Sequence, residues 1–439
     1  MSRMNHTPKA IINEEAHEGR GIANRNEEVY PMLNSLRVLD LTDEKGFLCG
    51  KILAELGADV IKVERPGGDP SRMIGPFFND EVDPEKSLYW FAYNSSKRGI
   101  TLNIEAEKGR ELFKRLVYAA DVVIESFPPD YLEGLGLGYR ELSSLNPRII
   151  ITSITPFGHT GPRKDYKASD ISLMALSGIM SVTGDSDRSP LRFGLDQSYC
   201  LAGTHAVIGI LIALHHHRIS GEGQHIDVSA FDSLCLANFW ETIKWEYEKR
   251  IVNRSGDRMG RGMGTTRQVW KCKDGYLTWV ILGGKEEMKI FITMIEIMDK
   301  EGMAGNLKSV EWEKVHISRI PDDEMSRYEE VIAAFFMKHT KNELEQLSLK
   351  YNLRLSIIND IVDNAEGETL AFREYWTDVD YPELSTAIKS PGHLFLSNEV
   401  KTQVRFRAPR IGEHNNEIFE KELGLSRQEM SDLKRIGIL

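Results

Sequence analysis

Apolar residues in this chain fall into short clusters whose spacing switches between strand-like and helix-like periods. Val38, Leu39 and Leu41 form a compact apolar strand. Phe47, Leu48, Ile52, Leu53 and Leu56 recur at helical spacing, and Gly57 supplies the stop signal. Val60, Ile61 and Val63 make the next strand. Residues 37–65 therefore predict a βαβ unit, which builds a parallel sheet with right-handed crossovers. The alternation continues with strands over Gly99–Ile104, Asp121–Glu125 and Arg148–Thr155, and a helix over Glu107–Tyr118. A helix begins near Ser169 and carries Leu173 to Met180; Ser198–His217 form a longer one, followed by a strand over His225–Val228. This order predicts an α/β fold with a largely parallel, Rossmann-like sheet.

The pattern changes near residue 231. FDSLCLANFWETIKWEYEKRIVNR predicts one long, partly charged helix, and Gly256 to Gly264 lie in a flexible glycine-rich loop. WKCKDGYLTWVIL predicts a hairpin turning at Asp274-Gly275. The segments read as a polar extension (1–36), the first part of a large α/β domain (37–230), a linker helix and loop (231–261), a small domain (262–365), and a return segment completing the large domain (366–439).

Composition narrows the function. Hydrophobic content of 41% and charged content of 28% are those of an ordinary globular protein. A net charge of −11 over 439 residues argues against general binding to nucleic acid or anionic membranes, so an anionic ligand needs a local basic pocket. Cys49, Cys200, Cys235 and Cys272 are far apart, with no C-x-x-C, which predicts free thiols and a cytoplasmic protein. The first 36 residues contain no apolar h-region, and the greasiest run, Ala206–Leu214, is too short to cross a bilayer and reads as a buried core helix.

The commonest chemical signatures are absent. The first strand–helix loop, TDEKGF, carries one glycine and two acidic residues, unlike a G-x-G-x-x-G dinucleotide loop, so NAD is not expected. His215, His216 and His217 are consecutive on a helix and cannot all face one metal; no metal is expected. Asp170 stands out. It follows Ser169, a plausible N-cap, at a helix start, where the dipole favours a negative charge. An ordinary helix-start aspartate is the plain reading. The functional one is a carboxylate nucleophile that attacks an acyl carbon.

An ordered series of motifs decides between them: PGGDPSR, NSSKRGITLNI, ADVVIESF, GLGLGY, LNPRIIITSITPFGHTGP, SDISLMALSGIMSVTG and RIGEHNNEIF. From residue 37 to the C-terminus the chain resembles the family III CoA-transferases. The resemblance implies that Asp170 attacks an acyl-CoA thioester to give a mixed anhydride. CoA thiolate then returns to form an aspartyl-CoA thioester, from which an acceptor acid takes the CoA. It also implies two subunits threaded through each other, as a homodimer or with a related second chain. Acyl-CoA and a carboxylic acid are the substrates implied. Arg65 matches a nucleotide-binding arginine, and Lys97 and Arg98 form a second basic pair for CoA phosphates. Leu102 and Phe127 match positions beside the adenine or pantetheine. Lys45 and the loop glycines Gly260, Gly262 and Gly264 match positions over the reacting carbonyl.

The chain departs from relatives in places. Lys45 stands where formyl-CoA enzymes carry glutamine, and Gly134 stands where a basic residue is frequent. Racemases of the same superfamily place a histidine before the aspartate and use a second aspartate later. Here the first position is Ser169, while Asp196 matches the second. The chain therefore reads as a CoA-transferase, with succinyl-CoA as a candidate donor. A 2-methylacyl-CoA racemase and a non-catalytic CoA-binding subunit are the alternatives. Met259, Met263 and Trp270 hint at an apolar acceptor acid.

Overall fold

A computed structural model describes residues 32–261 and 264–439. The alternating pattern folds as a six-stranded sheet. Strands β1 (Arg37–Leu41), β2 (Asp59–Glu64), β3 (Arg98–Thr101), β4 (Val122–Glu125), β5 (Ile150–Thr155) and β6 (Gln224–Ser229) lie in the order β3-β2-β1-β4-β5-β6, and every pairing is parallel. Helices α1 (Phe47–Glu55), α2 (Leu88–Asn94), α3 (Glu107–Tyr118), α4 (Tyr131–Gly134) and α5 (Tyr139–Leu145) fill the connections. α6 (Asp170–Leu176) and α7 (Gln197–Ser220) follow β5. The order reverses between β1 and β4, so the loops leaving their C-terminal ends diverge and open a crevice.

Side-chain alternation along the strands feeds two cores. Leu39, Ile61, Ile100, Val123 and Ile151 face α3 and the C-terminal residues Ile418 and Phe419. Val38, Val60, Ile124, Ile150 and Ile154 face α1 and α7. The C-terminal segment closes the β3 edge: Asn415 accepts from the Thr101 N–H at 2.9 Å, and His414 exchanges bonds with the Gly99 backbone.

α7 packs one face on α1, β5 and β6. Its other face exposes Ile208, Leu211 and Ile212, so it is not buried all round as its sequence suggests. The long helix expected from Phe231 is two: α8 (Ala230–Ala237) and α9 (Phe239–Glu248) meet at Asn238, whose φ of −103° and ψ of 17° interrupt the helix. α6 also ends early. Gly178, at φ 84°, turns the chain before Met180.

The glycine-rich loop is partly structured. β7 (Arg258–Gly260) pairs antiparallel with β8 (Thr265–Arg267). Beyond it, β9 (Val269–Lys271) and β10 (Tyr276–Thr278) form the hairpin predicted around Asp274-Gly275, and β11 (Ser356–Ile357) adds a third strand. This sheet and helices α10 (Lys285–Lys300), α11 (Asp322–Phe336) and α12 (Lys341–Tyr351) share a separate core that includes Trp270, Trp279, Phe291 and Phe336. Trp270 is 1% exposed, with its indole N–H donated to the Trp279 carbonyl. It serves that core and is not available to an acceptor acid.

Candidate active site

The crevice between β1 and β4 widens into a cavity of about 610 Å³. Its walls are loops that leave the C-terminal ends of β1 to β4: Asp43 and Glu44, Arg65 to Ser71, Leu102 to Glu105, and Ser126 to Tyr131. The β2 loop is the PGGDPSR motif. Gly67 and Gly68 sit at φ 92° and 94°, a region that disfavours side chains, and a Cβ on Gly68 would lie 2.8 Å from Ile411. Arg72 ends the motif inside the protein. It grips both oxygens of Glu64 at 2.6 and 2.8 Å and stacks over Trp90 at 3.7 Å.

Three of the sequence candidates meet in this cavity. Arg65 lies on its rim, largely exposed, and none of the described carboxylates forms an ion pair with it. Leu102 and Phe127 supply apolar wall, and Phe127 stacks on Tyr131 with ring centroids 4.6 Å apart. Four further carboxylates line the cavity (Asp43, Glu44, Asp69 and Glu105), besides Glu64, which is matched by Arg72. Arg65 is the one cation in this lining among the described residues.

Lys97 and Arg98 do not join them, and this corrects the expectation for the basic pair. Lys97 is fully buried beneath α1. It bonds Asp40 at 2.8 Å, Asn94 at 2.9 Å and the Phe47 carbonyl at 3.0 Å. Burial alone would raise the Asp40 pKa; the charges of Lys97 and Lys62 outweigh it and hold it below its ordinary value. Arg98 starts β3, whereas the cavity opens at that strand's other end. Its guanidinium is spent on Asp59, Glu417 and Glu422. Lys45 is also engaged, pairing with Asp43, which in turn accepts from the Ser126 hydroxyl at 2.7 Å.

Asp170 is the first residue of α6 and is 4% exposed. One oxygen, Oδ1, accepts from the Ser198 N–H at 2.9 Å and the Ser198 hydroxyl at 2.7 Å. The other, Oδ2, is buried with no hydrogen-bond partner, and the Arg192 guanidinium lies 3.9 Å away. A carboxylate so held is pre-oriented, with one oxygen left to react. Ser198 and Arg192 were not legible as site residues, because only the packing of α7 against α6 brings position 198 to position 170.

The loop after β1 stands between the cavity and the start of α7, the helix that carries Ser198. Asp43 and Glu44 line the cavity on one side. On the other, Glu44 lies with Tyr89, Asp196 and Tyr199 around a small gap. Asp196 accepts from the Tyr89 hydroxyl at 3.2 Å, and Ser169, its hydroxyl bonded to Ser172, stands where the racemase pattern needs a histidine base.

The glycine loop begins against the segment between α6 and α7, where the Gly256 N–H donates to the Gly184 carbonyl at 3.0 Å. Gly260 lines a second cavity of about 330 Å³ with Leu282, Gly284 and His316. Gly264 accepts from the Arg261 N–H at 2.8 Å. The buried Arg261 guanidinium bonds Thr265, Ile317 and Asp322 at 2.9 Å each and anchors the hairpin base. Gly262 and Met263 lie outside the described residues, and Met259 is half-buried in β7.

Residues 33–415 match the sequence pattern of CoA-transferase family III. The chain belongs to CoA-transferase family III. It is 34% identical to a succinyl-CoA:(R)-benzylsuccinate CoA-transferase subunit, BbsE, of Thauera aromatica, over 91% of this chain and 96% of that one. It is 30% identical to a succinyl-CoA–D-citramalate CoA-transferase of Chloroflexus aurantiacus, over 92% and 96%. A CAIB/BAIF family protein of Brucella suis shares the fold, with a TM-score of 0.77 at 29% identity, over 88% of this chain and 97% of that one. The protein is a CoA-transferase, an enzyme of acyl-CoA metabolism.

Proposed function

We propose that this family III CoA-transferase moves CoA from succinyl-CoA to a free carboxylic acid through covalent intermediates on Asp170. The observation that carries the mechanism is the uneven Asp170 carboxylate, one oxygen accepting two hydrogen bonds from Ser198 and the other without a hydrogen-bond partner. The free oxygen attacks the thioester carbonyl, and CoA thiolate departs with the electron pair. Thiolate then attacks the Asp170 carbonyl of the mixed anhydride and expels succinate. The acceptor carboxylate attacks the resulting aspartyl thioester, and a final thiolate attack releases its CoA ester and restores Asp170. No step needs a metal or redox cofactor. The donor is suggested by the names of two relatives that span nearly the whole chain. In this reading CoA lies in the cavity with its phosphates at Arg65 and its apolar parts along Leu102, Phe127 and Tyr131.

The working unit in this reading is an interlinked dimer, either of identical chains or with a related partner. The outward apolar residues Ile208 and Ile212 on α7, Leu236 on α8, and Phe239, Trp240 and Trp245 on α9 support it, since so much exposed apolar surface usually marks an interface. The glycine hairpin, anchored through Arg261 on Ile317 and Asp322, would then meet the partner's site. A folded monomer on dilution, seen by light scattering, would contradict the interlinking.

The mechanism is tested by mass spectrometry of protein incubated with succinyl-CoA. A CoA adduct on the peptide containing Asp170 is expected. Asp170→Asn should form none, lose turnover by orders of magnitude and keep its fold. Near-normal turnover in that variant would remove Asp170 as nucleophile.

A further inference from the structure

Arg192 has no place in the scheme above, yet it is the cation nearest the reactive oxygen. It lies on the segment between α6 and α7, where Leu191 N–H bonds the Thr183 carbonyl at 3.1 Å. Arg254 ties the same segment from outside, donating to the Asp185 carbonyl at 3.2 Å and the Arg188 carbonyl at 3.1 Å. Leu195, at φ 64°, turns the backbone into the left-handed region just before Asp196. Such strain persists only where the surroundings hold it. Arg192 is thus carried on an exposed but tethered loop.

Its side chain is 45% exposed, and its Nη1 stands 3.9 Å from Asp170 Oδ2. That separation is too long for a hydrogen bond and short enough for a strong charge interaction. Among the described residues no hydrogen bond occupies the guanidinium, and Asp170 is the one carboxylate within ion-pair range. An arginine with open donors, reachable from solvent and beside the reacting atom, is built to receive a planar anion.

We propose that Arg192 binds the carboxylate of the acceptor acid and delivers it to the aspartyl thioester. The inference rests on the covalent Asp170 reading. In the resting protein Arg192 faces the negative charge of Asp170. Formation of the thioester removes that charge, because the aspartyl oxygen leaves with succinate or stays in a neutral carbonyl. The guanidinium is then without a counter-charge at the moment when a second carboxylate must approach the same place. One oxygen of that carboxylate bonds to the Asp170 carbonyl carbon. The carbon–sulfur bond breaks, the electron pair leaves on CoA thiolate, and no proton moves. The other oxygen, or a second carboxylate on a dicarboxylic acid, can stay on Arg192.

The test separates the two halves of the reaction in the full-length protein. Wild type, Arg192→Ala and Arg192→Lys are mixed with succinyl-CoA, and the Asp170 adduct is followed by quenched-flow mass spectrometry. The isolated adduct is then mixed with succinate at increasing concentration, and succinyl-CoA formation is measured. In Arg192→Ala, half-saturation by succinate should rise about ten- to hundredfold while the maximal rate of adduct consumption changes far less; Arg192→Lys should recover part of the loss. Unchanged half-saturation would overturn the role of Arg192. So would a fall confined to the maximal rate, which would mean the arginine merely holds Asp170. Absence of an adduct in wild type would instead sink the Asp170 reading, and this inference with it.

Discussion

Ser198 gives both its backbone N–H and its hydroxyl to a single oxygen of Asp170, at 2.9 and 2.7 Å, and the opposite oxygen is left unmatched in a buried setting. A buried carboxylate oxygen without a donor is costly to a protein and is rarely retained without a use. Ser198 stands in the first turn of α7 and Asp170 opens α6, so the contact of two helix starts fixes which carboxylate oxygen stays bare.

Ser198→Ala should therefore act on rate more than on binding. The backbone bond survives, but the carboxylate gains freedom. We expect kcat to fall on the order of ten- to hundredfold with little change in KM for acyl-CoA. Steady-state kinetics with both substrates measures this. Unchanged kcat would show that the hydroxyl does not orient the nucleophile.

Arg65→Ala should raise KM for acyl-CoA about ten- to hundredfold and leave KM for the free acid nearly unchanged, as expected for loss of a charge-assisted bond to phosphate. The side chain lines the cavity rim and makes no described ion pair, so stability should hardly change. An equal rise for both substrates would assign Arg65 a structural role.

Lys97→Met makes the contrasting case. It strands Asp40, which is fully buried, with Lys62 at 3.8 Å as its remaining cation. Breaking a buried pair from one side costs about 3–5 kcal/mol, so thermal unfolding should occur at distinctly lower temperature. Any protein that remains folded should bind acyl-CoA as wild type does. A selective loss of CoA affinity in stable protein would return Lys97 to the phosphate site.

The β3 edge should respond to acid. Burial pushes the His414 imidazole below its ordinary pKa, and the nearby charge of Arg98 adds to the shift, against Glu413 and Glu417. Its Nδ1 accepts from the Gly99 N–H at 3.0 Å, which the protonated ring could not do. The folded pKa is below the unfolded value of about 6.5, so this stability is present above that pH and is lost as pH falls through the folded pKa. Tm should drop on acidification below about 6.5. His414→Gln, which can still accept that bond without titrating, should flatten part of the slope; His225, also shifted down by desolvation, would keep the rest. Identical profiles for variant and wild type would rule His414 out as a contributor.

Periodicity alone determined most of the secondary structure, because each strand or helix must bury its own apolar set. The helix expected over Glu107–Tyr118 has those bounds in the structure. The ordered motifs carried the family and pointed to Asp170, since a loop motif records local backbone demands such as the paired glycines before Asp69. Periodicity could not see the break at Asn238, where a local backbone turn overrides an apolar pattern that runs straight through. It also could not rank the basic residues. Arg65, Lys97 and Arg98 look equivalent as charges in a row of residues. Parallel pairing places Arg65 beyond the C-terminal end of β2, on the open crevice, and Arg98 at the closed N-terminal end of β3. Lys97 turns under α1 to meet Asp40. The same limit hid Ser198 and Arg192, whose distance from Asp170 along the chain disappears only when α6 and α7 pack. Local chemistry is written in neighbouring residues; which charges stay free, and which oxygen stays bare, is decided by contacts between residues far apart in sequence.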